Sequence, residues 1–470
     1  MVQFLRSVID CFVNNHPDRR TARTRILNLT ILVCLVLFLL SQTLFLFNIQ
    51  YPKDHNFDES GYVPAAKQFL QMAENKNWEH PPLAKILIAV GILLFGDQPL
   101  GWRYMSIFFG SLTLVGIYLW ALALFRDRST ALFAALITVM NQLLYVQARI
   151  GTLDIFMFAF TVFALAAFCA AWSIKAEKHK VFFLLLSAGV MFGLAIACKW
   201  AAIVPWLGSI LMIIGVKVLQ NWKIIFQEDS PWKSQQKKEF EDWYSPKLFG
   251  GISLIMLTIA LLIVPIFVYF LTFLPYLFIH KADQISYSIL DLFPLQLKMW
   301  NAQLSVVTNH PYMSKWNSWP LMIRPIWYAF DKEGNDFYRC VVMLGNPLIM
   351  WSGLIAILYC LWVWFACRSR ETFLILSFYC AFYLGWVVIP RKLTFYYYYY
   401  PAGMTLSMAI AFFFHYWESG KTSWLKRNHM LRWIYVAACI IIFFYFFPVL
   451  SALKIPLAAY YKSMWFRSWI

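Results

Sequence analysis

Apolar stretches alternate with short polar segments along most of this chain. Many of the apolar stretches are about 20 residues long, the length of α-helix that crosses the hydrocarbon core of a bilayer. We therefore predict about eleven membrane-spanning helices, at 26–48, 100–125, 130–147, 154–174, 181–198, 200–218, 248–274, 347–367, 371–389, 398–417 and 432–450. The pattern is typical of an all-α polytopic membrane protein.

Composition supports this interpretation. Apolar residues make up 61% of the chain and charged residues 13%, which is about half the charged fraction of a typical soluble domain. A membrane β-barrel would instead show short segments of alternating hydrophobicity. The formal net charge of +17 does not indicate nucleic-acid binding, because no basic domain stands apart from the apolar helices.

Lysine and arginine concentrate on one side of the predicted helices. By the positive-inside tendency this side faces the cytoplasm, and it comprises the N-terminal tail 1–25 and the loops 126–129, 175–180, 217–247, 368–371 and 420–432. Residues 26–470 then form one membrane-embedded domain with two long extracytoplasmic loops, 49–99 and 275–346. Within the first loop, Leu83–Phe95 is apolar but too short to span, which predicts that it lies at the interface or dips back into the membrane.

The unusual polar residues gather on the extracytoplasmic side. Asp58 and Glu59 follow the first predicted span, and further charged or histidine side chains lie near other span ends on the same face, at His80, Lys85, Arg149, Asp154, Lys199 and Arg391. A single acidic loop residue is usually only solvated. Carboxylates and cations that converge at one membrane surface, however, suit a reaction between a polar acceptor and an anionic lipid headgroup.

Two aromatic segments lie on this face as well. The loop after residue 275 contains tryptophan and tyrosine together with His310 and Arg324, and Tyr396–Tyr400 precedes a later span. Such density is typical of a membrane-interface belt.

Six motifs occur in the order found in protein O-mannosyltransferases, which are dolichyl- or polyprenyl-phosphate-mannose–protein mannosyltransferases. The chain resembles this family most clearly between residues 56 and 328. One such motif would be weak evidence of a relationship, but six motifs in the same order are specific to the family. They are "FDESGYV", "HPPLAKILIAVGILLFG", "GWRYMSIFFGSLTLVGIYL", "ARIGTLDIFMFAF", "GLAIACKWAA" and "HPYMSKWNSWPLMIRPIWY".

The resemblance implies a C-type glycosyltransferase fold with extracytoplasmic amphipathic loop helices. It also implies an inverting transfer of mannose, or another hexose, from a polyprenyl-phosphate-linked sugar to serine or threonine hydroxyls of exported proteins. Asp58 matches the catalytic base, with Glu59 as its partner. An alcohol is too weak an acid to ionise beforehand, and a carboxylate can accept its proton as the new bond forms.

The leaving lipid phosphate needs cations rather than a proton donor. We expect Arg149 to bind it, because a guanidinium matches phosphate oxygens with two parallel donors. Lys85, Lys199 and Arg391 are further candidates, although each could also extend to the interface for solvation alone. The expected substrate contacts are His80, Asp154, His310 and Arg324. In the resembling family the loop 275–346 packs over the active site, which implies contact with the acceptor or the sugar as the alternative to an interface belt. For Tyr396–Tyr400 the alternative is stacking on the sugar.

The chain departs from eukaryotic members of the family in the loop 275–346, which is too short for their β-trefoil domain. No retention signal is found at the C-terminus either. Both features favour a bacterial cytoplasmic membrane, with the site facing the periplasm or exterior. The expected partners are the lipid-linked sugar, an acceptor protein and membrane lipids.

Alternatives stay open at this point. A transferase of the same fold could act on lipid A or a cell-wall glycan, although such relatives generally carry "KPP" where this chain has "HPP". A lipid or solute transporter would call for inverted repeats and polar residues in mid-membrane. No cofactor is firmly implied beyond the lipid-linked co-substrate, but Asp58, Glu59 and His80 could supply ligands to Mg²⁺ or Mn²⁺.

Overall fold

The computed structural model describes residues 19–172, 177–221, 249, 251–279, 287–305, 310–389, 391–419 and 430–470. Most of the tail 1–25, and parts of the loops 175–180, 217–247 and 420–432, lie outside these residues. Their cytoplasmic placement stays a prediction.

The described α-helices vary widely in length. In chain order they are α1 Arg19–Leu46, α2 Glu59–Leu70, α3 Leu83–Phe95, α4 Pro99–Phe125, α5 Arg128–Val139, α6 Gln142–Gln147, α7 Leu153–Ala171, α8 Lys178–Cys198, α9 Ile203–Asn221, α10 Leu254–Thr258, α11 Val264–Leu271, α12 Leu292–Ser305, α13 Pro347–Cys367, α14 Arg370–Val388, α15 Tyr400–Glu418, α16 Met430–Leu450 and α17 Leu457–Ser463. A π-helical segment, Ile259–Ile263, joins α10 to α11. Short 3-10 segments lie at Trp200–Ala202, Leu274–Phe278, Trp316–Ser318, Tyr396–Tyr399 and Arg467–Trp469.

Among the described residues, nine helical segments are long and apolar enough to cross a membrane. They match nine of the eleven predicted spans, so the polytopic helical architecture is confirmed. The predicted span 398–417 forms α15, a helix of the expected length that is almost wholly buried and is not one of the nine.

The remaining predicted span, 130–147, is two short helices, α5 and α6, with a break at Met140 and Asn141. The Asn141 side chain begins α6 by accepting a hydrogen bond from the Leu143 amide at 3.2 Å. The side-chain amide of Asn346 donates to the Met140 carbonyl at 3.0 Å. Side chains thus satisfy backbone groups that the break removes from the helix, which lets the chain turn inside the bundle.

The core centres on α7, which packs between α4 and α8. Buried residues occur on every side of α7, as expected for a helix without a lipid-facing surface. A Cβ added at Gly116 of α4 would lie 2.3 Å from Val162 of α7, so glycine permits this close approach. The tightly packed helices provide a rigid base for the loops at their ends.

A small antiparallel sheet, which the sequence did not predict, lies at the end of the bundle where α1 finishes. It consists of β1 Ile326–Glu333, β2 Phe337–Met343 and β3 Lys454–Pro456, in that order. The Asn48 side chain donates to the Ser451 carbonyl at 2.8 Å, and Arg339 of β2 lies 3.9 Å from the Tyr51 ring centre. The sheet region therefore holds the segment that leads from α1 to Asp58.

Candidate active site

A cavity of about 240 Å³ opens at this same end of the bundle. Four of the residues predicted to form the site line it, namely Asp58, His80, Lys199 and Arg391. They come from the first loop, the segment before α3, the end of α8 and the segment before α15. Residues that the sequence analysis did not assign to the site also line the cavity, among them Phe57, Tyr62, Asn77, Glu79, Tyr397 and Tyr398.

Asp58 stands at the start of α2 and is half-buried. The Tyr397 hydroxyl donates a hydrogen bond to its Oδ2 at 3.2 Å. Burial raises the pKa of the Asp58 carboxyl to about 6, and the charge of Asp154 acts in the same direction, while Lys199, the Tyr397 hydrogen bond and Arg391 oppose it. At neutral pH the group is therefore mainly a carboxylate, yet one basic enough to accept a proton.

The backbone before Asp58 is held in an unusual conformation. Phe57 has a φ of 47°, a region that residues other than glycine occupy at a cost of roughly 1–3 kcal/mol. Its ring is enclosed by those of His310, Tyr328, Phe395 and Tyr397. This ring cluster compensates the strain and fixes the direction of Asp58, and it gives His310 a packing contact beside the cavity.

Glu59 points away from the cavity and is fully buried. Its Oε1 accepts from Arg103 Nε at 2.9 Å and from the Gly151 amide at 2.8 Å. Its Oε2 accepts from Arg103 Nη2 at 2.8 Å and from the Asn56 amide at 2.9 Å. Only Asp58 of the adjacent pair faces the cavity, and Glu59 connects the first loop to α4 and to the turn before α7.

Lys199 is buried at the end of α8. Its ammonium donates to both carboxylate oxygens of Asp154 at 2.8 Å. It also lies 5.1 Å and 4.9 Å from the ring centres of Tyr397 and Tyr398. Asp154 thus contacts a cavity-lining cation and belongs to the surroundings of the site.

Arg391 also lies beside Tyr398, with its guanidinium 5.4 Å from that ring centre. Its Nε donates to the Leu393 carbonyl at 3.2 Å, and its Nη1 donates to Gln303 Oε1 at 2.8 Å. Within the described residues these are its hydrogen bonds, and Nη2 is left for a ligand. Arg391 therefore combines a fixed position with a spare donor.

His80 completes the polar lining. Burial, reinforced by the positive charges of Lys199, Lys85 and Arg391, holds the pKa of its imidazole well below the usual range. The ring lies edge-on to Tyr62, with the ring centres 5.8 Å apart. A neutral imidazole can donate through one nitrogen and accept through the other, which suits contact with hydroxyl groups.

Three of the predicted cationic residues are engaged outside the cavity. Arg149 donates to the carbonyls of Phe45, Phe47 and Asn48, so it satisfies the backbone where α1 ends. Lys85 donates to the carbonyls of Asn77 and His80 and shapes the turn before α3. Arg324 donates to the carbonyls of Pro311, Ser468 and Ile470 and holds the C-terminal segment.

The tyrosine run is not the interfacial belt that we expected. All five side chains from Tyr396 to Tyr400 are buried, and Tyr398 stacks on Trp386 with ring centres 4.4 Å apart.

The sequence analysis also missed the buried Arg103, although a lone arginine inside an apolar helix is a signal for a functional or paired charge. Among the described residues, no three histidine, cysteine, aspartate or glutamate side chains are grouped as metal ligands.

Comparisons with solved structures define the class of protein. The S. cerevisiae protein O-mannosyltransferase Pmt1–Pmt2 complex bound to the sugar donor superposes with a TM-score of 0.74 at 14% identity, covering 94% of this chain and 92% of that one. ArnT from Cupriavidus metallidurans bound to undecaprenyl phosphate gives a TM-score of 0.53 at 15% identity, covering 91% and 71%. The fold is that of the C-type membrane glycosyltransferases.

Sequence comparison narrows this class to one family. Residues 79–226 match the family model of dolichyl-phosphate-mannose–protein mannosyltransferases, and residues 288–469 match the model of the C-terminal four-helix membrane region of protein O-mannosyltransferases. The chain is 27% identical to a polyprenol-phosphate-mannose–protein mannosyltransferase from Corynebacterium glutamicum, with 88% of each chain covered. The chain belongs to the protein O-mannosyltransferase family.

Proposed function

We propose that this chain transfers mannose from polyprenyl-phosphate-mannose to serine or threonine hydroxyls of exported proteins, with inversion at the sugar's C1. The observation that carries the proposal is the cavity in which the Asp58 carboxylate faces the same space as Lys199 and Arg391. Attack by a hydroxyl needs a base, and departure of a lipid phosphate needs positive charge. The cavity provides one base and two cations.

In the chemical step the acceptor oxygen forms a bond to C1 while the bond from C1 to the phosphate oxygen breaks. The hydroxyl proton passes to Asp58, and the electron pair of the broken bond leaves with polyprenyl phosphate. Arg391 stabilises that anion, and Lys199 makes a smaller contribution because its charge is paired with Asp154. Because the leaving group is already a stable anion, no proton donor is required on its side.

The remaining residues support these groups. Tyr397 orients Asp58 through its hydrogen bond, and neutral His80 contacts a hydroxyl of the acceptor or the sugar. Arg391 takes the principal phosphate-binding role in place of Arg149, because Arg149 is held by three backbone carbonyls. Lys85 acts on the turn that carries His80.

The polyprenyl chain needs an apolar route that begins beside the phosphate. A narrow second cavity of about 20 Å³ shares Tyr398 with the main one and continues between α9 and α14. Its apolar lining includes Ala201, Val204 and Gly385. That volume holds about one water molecule, so the groove is too narrow for an isoprenoid chain as it stands. We propose that α9 and α14 separate here to admit the first part of the lipid.

The membrane orientation follows from charge. Arg126 and Arg128 follow α4 and Arg368 and Arg370 precede α14, so these arginines lie at the end of the bundle opposite the cavity. By the positive-inside tendency that end faces the cytoplasm. The site then faces the periplasm or exterior of a bacterial cytoplasmic membrane, where exported acceptors are found.

The test is transfer of radiolabelled mannose from polyprenyl-phosphate-mannose to a serine- and threonine-containing peptide by purified protein. We expect wild type to transfer and Asp58→Asn to be slower by about a hundredfold or more, the scale of general-base catalysis. Asp54→Asn is the matched control, since Asp54 is an exposed carboxylate in the same loop, and it should retain most of the activity.

Three outcomes would count against the proposal. Equal rates for Asp58→Asn and wild type would remove Asp58 from its role. Transfer to lipid A or a cell-wall glycan, without transfer to peptide, would replace the acceptor. Binding of polyprenyl phosphate without transfer to any of these acceptors would contradict the proposed reaction.

A further inference from the structure

Gln303, near the end of α12, connects two walls of the cavity without lining it. Its Oε1 accepts from Arg391 Nη1 at 2.8 Å, and its Nε2 donates to the Glu79 carbonyl at 2.9 Å. Arg391 and Glu79 both line the cavity. One neutral side chain therefore ties the proposed phosphate-binding arginine to the segment that carries His80.

The helix that carries Gln303 is fixed on one side. Lys298 lies 4.4 Å from the Trp78 ring centre, and Met299 is fully buried. Gln296 accepts a hydrogen bond from the Tyr269 hydroxyl. These contacts place α12 against the segment before α3 and against α11, so packing of the helix before Gln303 determines the position of that side chain.

The opposite side of α12 is apolar and exposed. Phe293 is 58% exposed, Leu297 63% and Leu304 38%, and their spacing of four and seven residues puts them on one helical face. A helix with this distribution lies in the membrane interface with its apolar face toward the lipid. Gln303, which holds Arg391, therefore belongs to a helix that contacts the bilayer on its other face.

Arg391 gains a defined direction from this arrangement. An arginine side chain has several rotatable bonds, and fixing it on binding costs up to about 2 kcal/mol of conformational entropy. Gln303 and the Leu393 carbonyl hold Nη1 and Nε in the unliganded protein. Because Gln303 is uncharged, it restrains the guanidinium without neutralising it, so the full positive charge remains for an anion.

We propose that Gln303 is a positioning residue for the lipid phosphate, acting through Arg391. The ligand class, a polyprenyl phosphate, rests on the proposed function. The role of Gln303 does not depend on the acceptor or on the transfer step, so it can be tested by binding alone.

The experiment measures binding of undecaprenyl phosphate to purified full-length protein in nanodiscs. Gln303→Ala should weaken binding about tenfold, the effect of losing one hydrogen bond to a charged group. Asn301→Ala, an exposed change on the same helix, should stay within about twofold of wild type as a control for loosening of α12. Melting temperatures establish that each variant is folded.

Two further variants separate positioning from packing. Gln303→Glu should bind more weakly than Gln303→Ala, because the carboxylate would neutralise Arg391 and repel the phosphate. In an Arg391→Lys background, Gln303→Ala should have little further effect, since coupled residues are not additive. A lysine lacks the planar fork of N–H donors with which an arginine can bind Gln303 and a ligand at the same time.

Transfer kinetics give a second readout. If Gln303 acts in binding, Gln303→Ala raises the donor KM about tenfold and leaves kcat nearly unchanged. The proposal is overturned if Gln303→Ala binds the lipid phosphate as well as Asn301→Ala does, or if Gln303→Glu binds it as well as wild type. It is also overturned if Gln303→Ala weakens binding as much in the Arg391→Lys background as in the wild-type background. Wild-type binding without transfer would instead count against the proposed function and leave the Gln303 comparison intact.

Discussion

Glu59 and Asp58 are adjacent carboxylates, and the structure gives opposite expectations for their replacement by the matching amide. Glu59 accepts four hydrogen bonds in a fully buried position, two of them from Arg103. In Glu59→Gln the new NH₂ group would face N–H donors, so at least two of these bonds would be lost. The guanidinium of Arg103 would also lose its counter-charge in a site that water does not reach.

The cost follows from the burial of the pair. Removing one partner of a buried ion pair typically costs about 3–5 kcal/mol. Arg103 still donates to the carbonyls of Ile49, Pro52 and Asp54, which places the expected loss near the lower end, about 3 kcal/mol. That loss corresponds to more than a hundredfold in the equilibrium constant of unfolding, since about 1.4 kcal/mol is tenfold.

Asp58→Asn should behave differently. Folding raises the pKa of Asp58 to about 6 from an ordinary value of 3.8. The ionised group therefore lowers stability at neutral pH, above both pKa values. The amide removes this charge, so the unfolding midpoint should stay the same or rise while transfer is lost.

The assay is thermal and denaturant unfolding of both variants in the same micelles, alongside the transfer assay. Glu59→Gln should lose stability and activity together, and Asp58→Asn should lose activity alone. An unchanged midpoint for Glu59→Gln, or an equal fall for both variants, would refute the distinction between a structural and a catalytic carboxylate.

The remaining predictions concern the chemistry of the cavity. Since Asp58 must be ionised to accept a proton and its pKa is raised to about 6, kcat/KM should fall as pH drops through about 6, and an acid limb near 4 would contradict the effect of burial. Tyr397→Phe removes a hydrogen bond that lowers this pKa, so the same pH profile should shift its acid limb to higher pH. Arg391→Ala should raise the donor KM at least tenfold, the scale of a lost charge-assisted contact, whereas Arg149→Ala should lower the unfolding midpoint with a smaller change in KM; the reverse pattern would exchange their roles. Chelation by EDTA should leave transfer intact because the cationic side chains stabilise the leaving phosphate, and a loss that Mg²⁺ or Mn²⁺ restores would show the opposite.

The spans could be predicted from sequence because membrane insertion depends on local hydropathy. The prediction of 347–367 coincides with α13, Pro347–Cys367, where Asn346 accepts from the Leu348 amide and proline occupies the first position. The break at Met140 could not be predicted in the same way. It depends on an amide from Asn346, more than 200 residues away in sequence.

The sheet was missed for a related reason. Strands β2 and β3 pair Arg339 with Lys454, across a separation that includes four long helices. The strand Ile326–Glu333 also contains aromatic residues, which are equally typical of a membrane-interface belt. The pairing of β3 is long-range and could not be read from local pattern. Strands β1 and β2 form a local hairpin, and Gly334 in its turn is a signal that the sequence analysis missed.

The candidate site was predictable in part, because the position of a charged residue relative to the ends of the spans can be read from local sequence. Asp58, His80, Lys199 and Arg391 lie at span ends on one face, and the structure brings all four to one cavity. Their ranking was not predictable. The sequence analysis preferred Arg149 to Arg391 as the phosphate ligand, but in the structure the Arg149 guanidinium donates to three carbonyls at the end of α1.

The function of each charged group at this end of the bundle follows from how many partners the fold supplies. Arg103 and Glu59 satisfy each other and the surrounding backbone, so their charges are used to hold the first loop. Arg391 is restrained through two of its nitrogens, and the described residues leave the third for a ligand. Among the described residues, Tyr397 supplies the one side-chain hydrogen bond to the desolvated Asp58, and this incomplete satisfaction raises the affinity of Asp58 for a proton. Reactivity therefore resides in the groups with unfilled hydrogen-bonding capacity, and further donors introduced beside Asp58 should lower its pKa and weaken it as a base.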